Sequence, residues 1–140
     1  MRRSIKVAAA VLIEGERFFA TQRGYGNWKD WWEFPGGKVE AGETPEEALV
    51  REIKEELDTV VSVDEFLMTV EYDYPEFHIS MDCFICSIIS GELTLLEHES
   101  ARWLPLNDPW QVRWLPSDIE VIKKLSEKAR SEGQRDTACR

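Results

Sequence analysis

Apolar positions recur with two different periods along this 140-residue chain, and where one period gives way to the other the elements can be drawn. Residues 4–13 are almost continuously apolar, which predicts a strand buried on both faces. Residues 17–22 form a second strand across the turn Glu14-Gly15-Glu16. Residues 60–74 and 78–89 carry β-branched and aromatic side chains throughout and predict two further strands around the turn Pro75-Glu76-Phe77. Residues 93–96 and 101–104 complete the sheet, with the acidic corner Glu97-His98-Glu99 between them. Glu33-Phe34-Pro35 is a short extended segment, because the residue before a proline disfavours helix.

The helical period appears twice. Thr44-Pro45-Glu46-Glu47 is a capping box with proline at the first helical position, so a helix starts at Pro45. Leu49, Ile53 and Leu57, joined by Val50, give it an apolar stripe. Ser117-Asp118-Ile119-Glu120 repeats the capping pattern before Val121, Ile122, Leu125 and Ala129. Mixed strands with two capped helices predict an α+β fold, an α/β/α sandwich, as a single domain over residues 1–130 with a frayed tail at 131–140.

Beside the first apolar stripe Glu52, Glu55 and Glu56 share one helical face, and like charges at this spacing repel by a few tenths of a kcal/mol per pair. Glutamate is also a good former of solvated helices. The stretch from Gly36 reads as a loop running into the helix, and that loop favours a ligand instead. Gly36, Gly37 and Gly42 let backbone approach a bound group, and three carboxylates on one face suit a hard cation such as Mg²⁺ carrying phosphates. Residues 24–32 hold Trp28, Trp31 and Trp32, more aromatic surface than a loop needs and enough to cover a nucleobase.

Composition narrows the partners. A formal net charge of −10 argues against a nucleic-acid polymer, whose phosphates demand a basic surface, but not against a small phosphate ligand accompanied by a metal. The apolar run 7–13 is too short for a signal peptide or a membrane span, which predicts a soluble cytoplasmic protein. Cys83 and Cys86 are three apart in a strand and so face opposite ways as small buried residues; with Cys139 the count is odd, which fits a reducing compartment.

Gly37, five residues, Glu43, seven residues, then Arg51-Glu52-Ile53-Lys54-Glu55-Glu56-Leu57 closely resembles the Nudix box. Asp58 stands where that pattern has glycine and Thr59 where it has an apolar residue; aspartate is among the few side chains able to take the left-handed conformation of a helix exit. Trp32 to Glu40, the turn at 74–79, the Glu97 corner and the helix start at 115–119 resemble the MutT and CTP pyrophosphohydrolase branch.

The resemblance implies a Nudix fold, a mixed sheet between helices. It also implies Mg²⁺-dependent hydrolysis of a nucleoside triphosphate to monophosphate and pyrophosphate, with Mn²⁺ as a substitute. Carried over, the Gly36 carbonyl, Glu52, Glu55, Glu56 and Glu97 form the metal site. Glu52 orients or deprotonates the attacking water, Glu55 assists, and Arg51 holds the carboxylates. Arg23 contacts phosphates, while Glu33, Phe34, Gly37, Lys38, Phe77 and Asp118 complete the substrate site. An ionised Asp118 accepts but does not donate, which favours CTP, dCTP or modified dCTP, with 8-oxo-dGTP next; its alternative role is to sit at a helix N-terminus. An ADP-ribose, dinucleotide or coenzyme A pyrophosphatase, or a non-catalytic nucleotide-binding module, would share the box. Monomer and weak dimer both remain open.

Overall fold

The computed structural model describes residues 3–24, 26–93 and 100–138, with side chains described as far as residue 128. Its elements are β1 (Arg3–Glu14), β2 (Arg17–Gln22), β3 (Trp32–Glu33), β4 (Gly36–Lys38), α1 (Pro45–Leu57), β5 (Val60–Asp73), β6 (Phe77–Ser90), β7 (Ser100–Pro105), a 3-10 turn at Pro109–Gln111 and α2 (Pro116–Ala138). Seven strands make one mixed sheet in the order β3-β2-β1-β6-β5, with β4 added to β1 and β7 to β2. β1 and β6 run parallel from Arg3 beside Phe77 to Leu12 beside Cys86, and β5 and β6 are antiparallel.

The sheet separates two apolar layers, which is the sandwich the sequence predicts. On one side Leu49, Ile53 and Leu57 of α1 pack on Ala8, Ala10, Leu12, Phe19, Val61, Phe84 and Cys86. On the other, Val121, Ile122 and Leu125 of α2 pack on Ala9, Val11, Phe18, Ala20, Val70, Met81 and Cys83. β1 alternates between the layers residue by residue, so a run apolar at every position is buried on both faces. Cys83 and Cys86 do face opposite layers, both buried and reduced. Val50 differs from expectation: it is exposed, and Ala48 takes its place against the core.

Both ends of α1 behave as their residues dictate. The Thr44 hydroxyl accepts from the Glu47 amide at 3.1 Å while the Glu47 carboxylate accepts from the Thr44 amide at 2.8 Å. Asp58 takes the left-handed conformation (φ 50°, ψ 44°), its amide donating to the Lys54 carbonyl. Thr59, buried in place of the pattern's apolar residue, donates its hydroxyl to the Leu57 carbonyl, so no polar group is left bare there.

Two expectations are corrected. Gly36 and Gly37 are not loop but strand, paired to Ala9 and Ala8 of β1, because the absent side chains let β4 lie close against its neighbour. The second capping box does not form. α2 starts at Pro116, whose fixed φ suits the first helical position, and the Ser117 hydroxyl turns instead to Tyr74 and Asp118. The α2 backbone continues through residues 131–138. Of the strand expected at 93–96 only Leu93 lies within the described residues.

Ile53 is fully buried at the centre of the α1 layer. Ile53→Ala is expected to destabilise the fold by about 2 to 5 kcal/mol, read as a lower urea midpoint with an unchanged slope.

Candidate active site

The box arginine sits at the junction between α1 and the segment that precedes it. Arg51 donates Nε and one terminal nitrogen to the two Glu43 oxygens at 3.1 and 2.7 Å, the fork geometry a guanidinium and a carboxylate share. Its other terminal nitrogen reaches Glu52 at 2.9 Å and Glu55 at 3.2 Å, and the Lys38 carbonyl accepts at 3.1 Å. The Glu43 carboxyl is held below the usual range, chiefly by the bond from Arg51, and the Arg51 pKa is raised by the same bond. One cation thus offsets the repulsion among carboxylates that the helix spacing imposes.

Glu52 points at β4. A β-carbon on Gly37 would lie 2.3 Å from the Glu52 carboxylate carbon and 2.5 Å from one of its oxygens, so glycine here makes room for that carboxylate. Gly36 meets a different obstacle: a β-carbon there would lie 2.0 Å from the Ala8 carbonyl oxygen, main chain that cannot yield.

Gly36, Gly37, Lys38 and Glu56 form one side of a cavity of about 690 Å³. Arg23 with Glu33, and Phe34 with Asp118, two hydrogen-bonded pairs, also line it, as do Trp28, Tyr74 and Phe77. The cavity therefore joins nine of the residues singled out from sequence: Arg23, Glu33, Phe34, Gly36, Gly37, Lys38, Glu56, Phe77 and Asp118. Glu52 meets it through Gly37, whereas Arg51 and Glu55 lie behind. Glu97 is outside the described residues.

Among the described residues no three His, Cys, Asp or Glu side chains converge on one point as the ligands of a cation would. Glu52 and Glu55 are turned to Arg51. The donor set nonetheless fits a hard divalent cation: carboxylate oxygens one helical turn apart, beside a strand whose missing β-carbon admits one of them.

Asp118 is 3% exposed. One of its oxygens accepts from the Phe34 amide at 2.9 Å and the other from the Ser117 hydroxyl at 3.1 Å. Burial, with the charge of Glu33 added, pushes its pKa up to about 7, against the pull of those bonds and of Arg23. Burial thus favours the protonated carboxyl, a form that can donate as well as accept.

Glu33 is raised by burial and pulled back by Arg23, whose guanidinium donates to it at 3.2 Å. The Arg23 Nε is buried without a hydrogen-bond partner among the described residues. Phe34 contributes its amide rather than a free ring face, its ring being packed on Trp114 and Phe18 with centroids 5.0 and 5.6 Å away. Of the loop tryptophans, Trp32 belongs to the core and Trp28 lines the cavity, edge-on to Tyr74 at 5.6 Å. Asn27, Tyr74 and Ser117 also line it and were not singled out from sequence. A tyrosine ending a strand beside a turn carries no spacing signal.

Fold and site together define a class. Residues 4–125 match the NUDIX domain, and the chain belongs to that family of hydrolases. It is 37% identical over 95 residues to an 8-oxo-dGTP diphosphatase of Proteus vulgaris, covering 66% of this chain and 85% of that one. It is 29% identical over 117 residues to a CTP pyrophosphohydrolase of Escherichia coli, covering 84% and 87%. A solution structure of a MutT protein of the Nudix hydrolase family from methicillin-resistant Staphylococcus aureus superposes with a TM-score of 0.73 at 32% identity, covering 91% and 99%. No helix among the described residues is long and apolar enough to cross a membrane.

The two glycines predict opposite phenotypes. Gly37→Ala displaces only the end of the Glu52 side chain and is expected to leave the melting temperature within a few degrees while lowering kcat about 100-fold. Gly36→Ala meets main chain and is expected to lower the melting temperature itself. Parallel thermal scans and turnover assays distinguish the two.

Proposed function

We propose that this chain is a Mg²⁺-dependent pyrophosphohydrolase that cleaves a nucleoside triphosphate to the monophosphate and pyrophosphate. Its substrates are CTP, dCTP, a modified dCTP or 8-oxo-dGTP. The observation that carries the reading is the approach of Glu52 to Gly37 in the wall of a cavity that Arg23, Glu33 and Asp118 also line. A triphosphate laid along that cavity would put its phosphates beside the glycine strand and its base beside Asp118.

Gly36, Glu52, Glu55 and Glu56, with Glu97, would hold the cation. Bound there, it would offset the phosphate charge and lower the pKa of a bound water. Glu52 orients the attacking water and takes its proton. Arg51 keeps Glu52 and Glu55 on the strand side of the helix. Arg23 offers its buried Nε to a phosphate, and Glu33 and Asp118 meet the polar edge of the base. The aromatic flank of Trp28, Tyr74 and Phe77 gives the base an apolar surface. The enzyme works in the cytoplasm on free nucleotides, as a monomer or weak dimer, with Mn²⁺ able to replace Mg²⁺.

Product chromatography with each candidate triphosphate tests this. Monophosphate plus pyrophosphate is expected, with turnover abolished by chelator and restored by Mg²⁺ or Mn²⁺. Glu52→Gln is expected to lower kcat by about 100-fold or more. Turnover in chelator, undiminished turnover of Glu52→Gln, or cleavage confined to ADP-ribose or dinucleotides would contradict it.

A further inference from the structure

Tyr74 stands at the end of β5 with its ring stacked on Phe77, centroids 5.2 Å apart, and edge-on to Trp28. Ring packing alone would be served by phenylalanine. The hydroxyl, however, lies 2.9 Å from the Ser117 hydroxyl and accepts from the Ser117 amide at 3.2 Å, and the Ser117 hydroxyl in turn donates to Asp118 at 3.1 Å. These contacts are buried and span strand β5 and the first turn of α2.

Counting protons fixes the direction of the chain. Ser117 has one hydroxyl proton. When Asp118 is ionised that proton goes to the carboxylate, so the bond between the two hydroxyls must come from Tyr74. The run is then one-way: Ser117 amide to Tyr74 oxygen, Tyr74 hydroxyl to Ser117 oxygen, Ser117 hydroxyl to Asp118. If Asp118 is protonated on the same oxygen, the carboxyl can donate to Ser117. The Ser117 proton then turns to Tyr74, and the Tyr74 proton is released toward the cavity its side chain lines.

We propose that Tyr74 is a positioning residue that acts through Ser117 to set the orientation and ionisation of Asp118 at the base end of the cavity. Its consequence for base choice rests on the proposed reading of Asp118. The other groups that face this carboxyl are Glu33 from β3, Arg23 just after β2, the Cys83 thiol of β6 and the Phe34 amide. Burial and then Glu33 oppose ionisation, while the Phe34 amide, the Ser117 hydroxyl and, least, Arg23 favour it, so the hydroxyl chain ends on one of the few groups that hold this carboxylate charged.

The test is a carbon-detected NMR titration of the Asp118 carboxyl in the ligand-free protein, for wild type, Tyr74→Phe, Ser117→Ala and the double variant. Removing the tyrosine hydroxyl frees Ser117 to turn away, so the carboxylate loses a donor and its pKa is expected to rise by about one unit. Ser117→Ala moves it the same way, and the double variant moves it no further than Ser117→Ala. A folded Tyr74→Phe protein whose Asp118 titrates as in wild type, or shifts that add in the double variant, would overturn the proposal.

The kcat/KM ratio between dCTP and 8-oxo-dGTP, followed against pH, reads the second layer. In Tyr74→Phe its inflection is expected to move with the Asp118 titration. If the titration moves and the ratio does not, the positioning role stands and the reading of Asp118 as the base reader falls.

Discussion

Arg51 is the constraint on which the acidic half of the molecule depends. Glu43, Glu52 and Glu55 surround its guanidinium, and the Lys38 carbonyl ties it to the strand across the gap. The fork is bidentate and part-buried within a network of charges, so it adds to stability as well, but its main value to the site does not lie there. It lies in geometry. The fork clamps the segment before the helix to the helix itself, and the remaining nitrogen holds Glu52 and Glu55, of which Glu52 reaches β4. A cation arriving with a phosphate chain meets acids already gathered, in competition with a guanidinium for the same oxygens.

The lining of the cavity brings two kinds of chemistry together. β4 contributes glycine backbone and Lys38, with Glu56 of α1 beside them, which suits phosphate and metal. β3 and the start of α2 contribute Glu33 and Asp118, two carboxyls whose pKa values burial raises, with aromatic rings in the same lining. Burial separates the two sets, for Glu55 is exposed whereas Asp118 is closed off from water.

Much of this was legible beforehand because it is local. A capping box, a repeat of apolar residues every fourth position and a run of glutamates each lie within one or two helical turns, and α1 came out from Pro45 to Leu57. The left-handed exit at Asp58 was also local. What escaped depended on partners distant in sequence. Ser117 looked like a helix cap, but Tyr74, 43 residues away, engages its hydroxyl. Gly36 and Gly37 looked like a loop because glycine weakens any strand pattern, and only their register with β1 makes them one. The packing of the Phe34 ring on Trp114, 80 residues on in the chain, was likewise not visible. The ionisation of Asp118 follows from burial, which no spacing reveals.

The central claim is that the acids of α1 and the glycine strand grip a cation carrying a polyphosphate. Anomalous diffraction from crystals soaked with Mn²⁺ and a non-hydrolysable nucleoside triphosphate analogue addresses it directly. The account predicts a manganese peak bound by Glu52, Glu56 and the Gly36 carbonyl, with the phosphates alongside. A peak elsewhere, or a nucleotide bound with Glu52 and Glu55 still paired to Arg51 and no metal between, would contradict it.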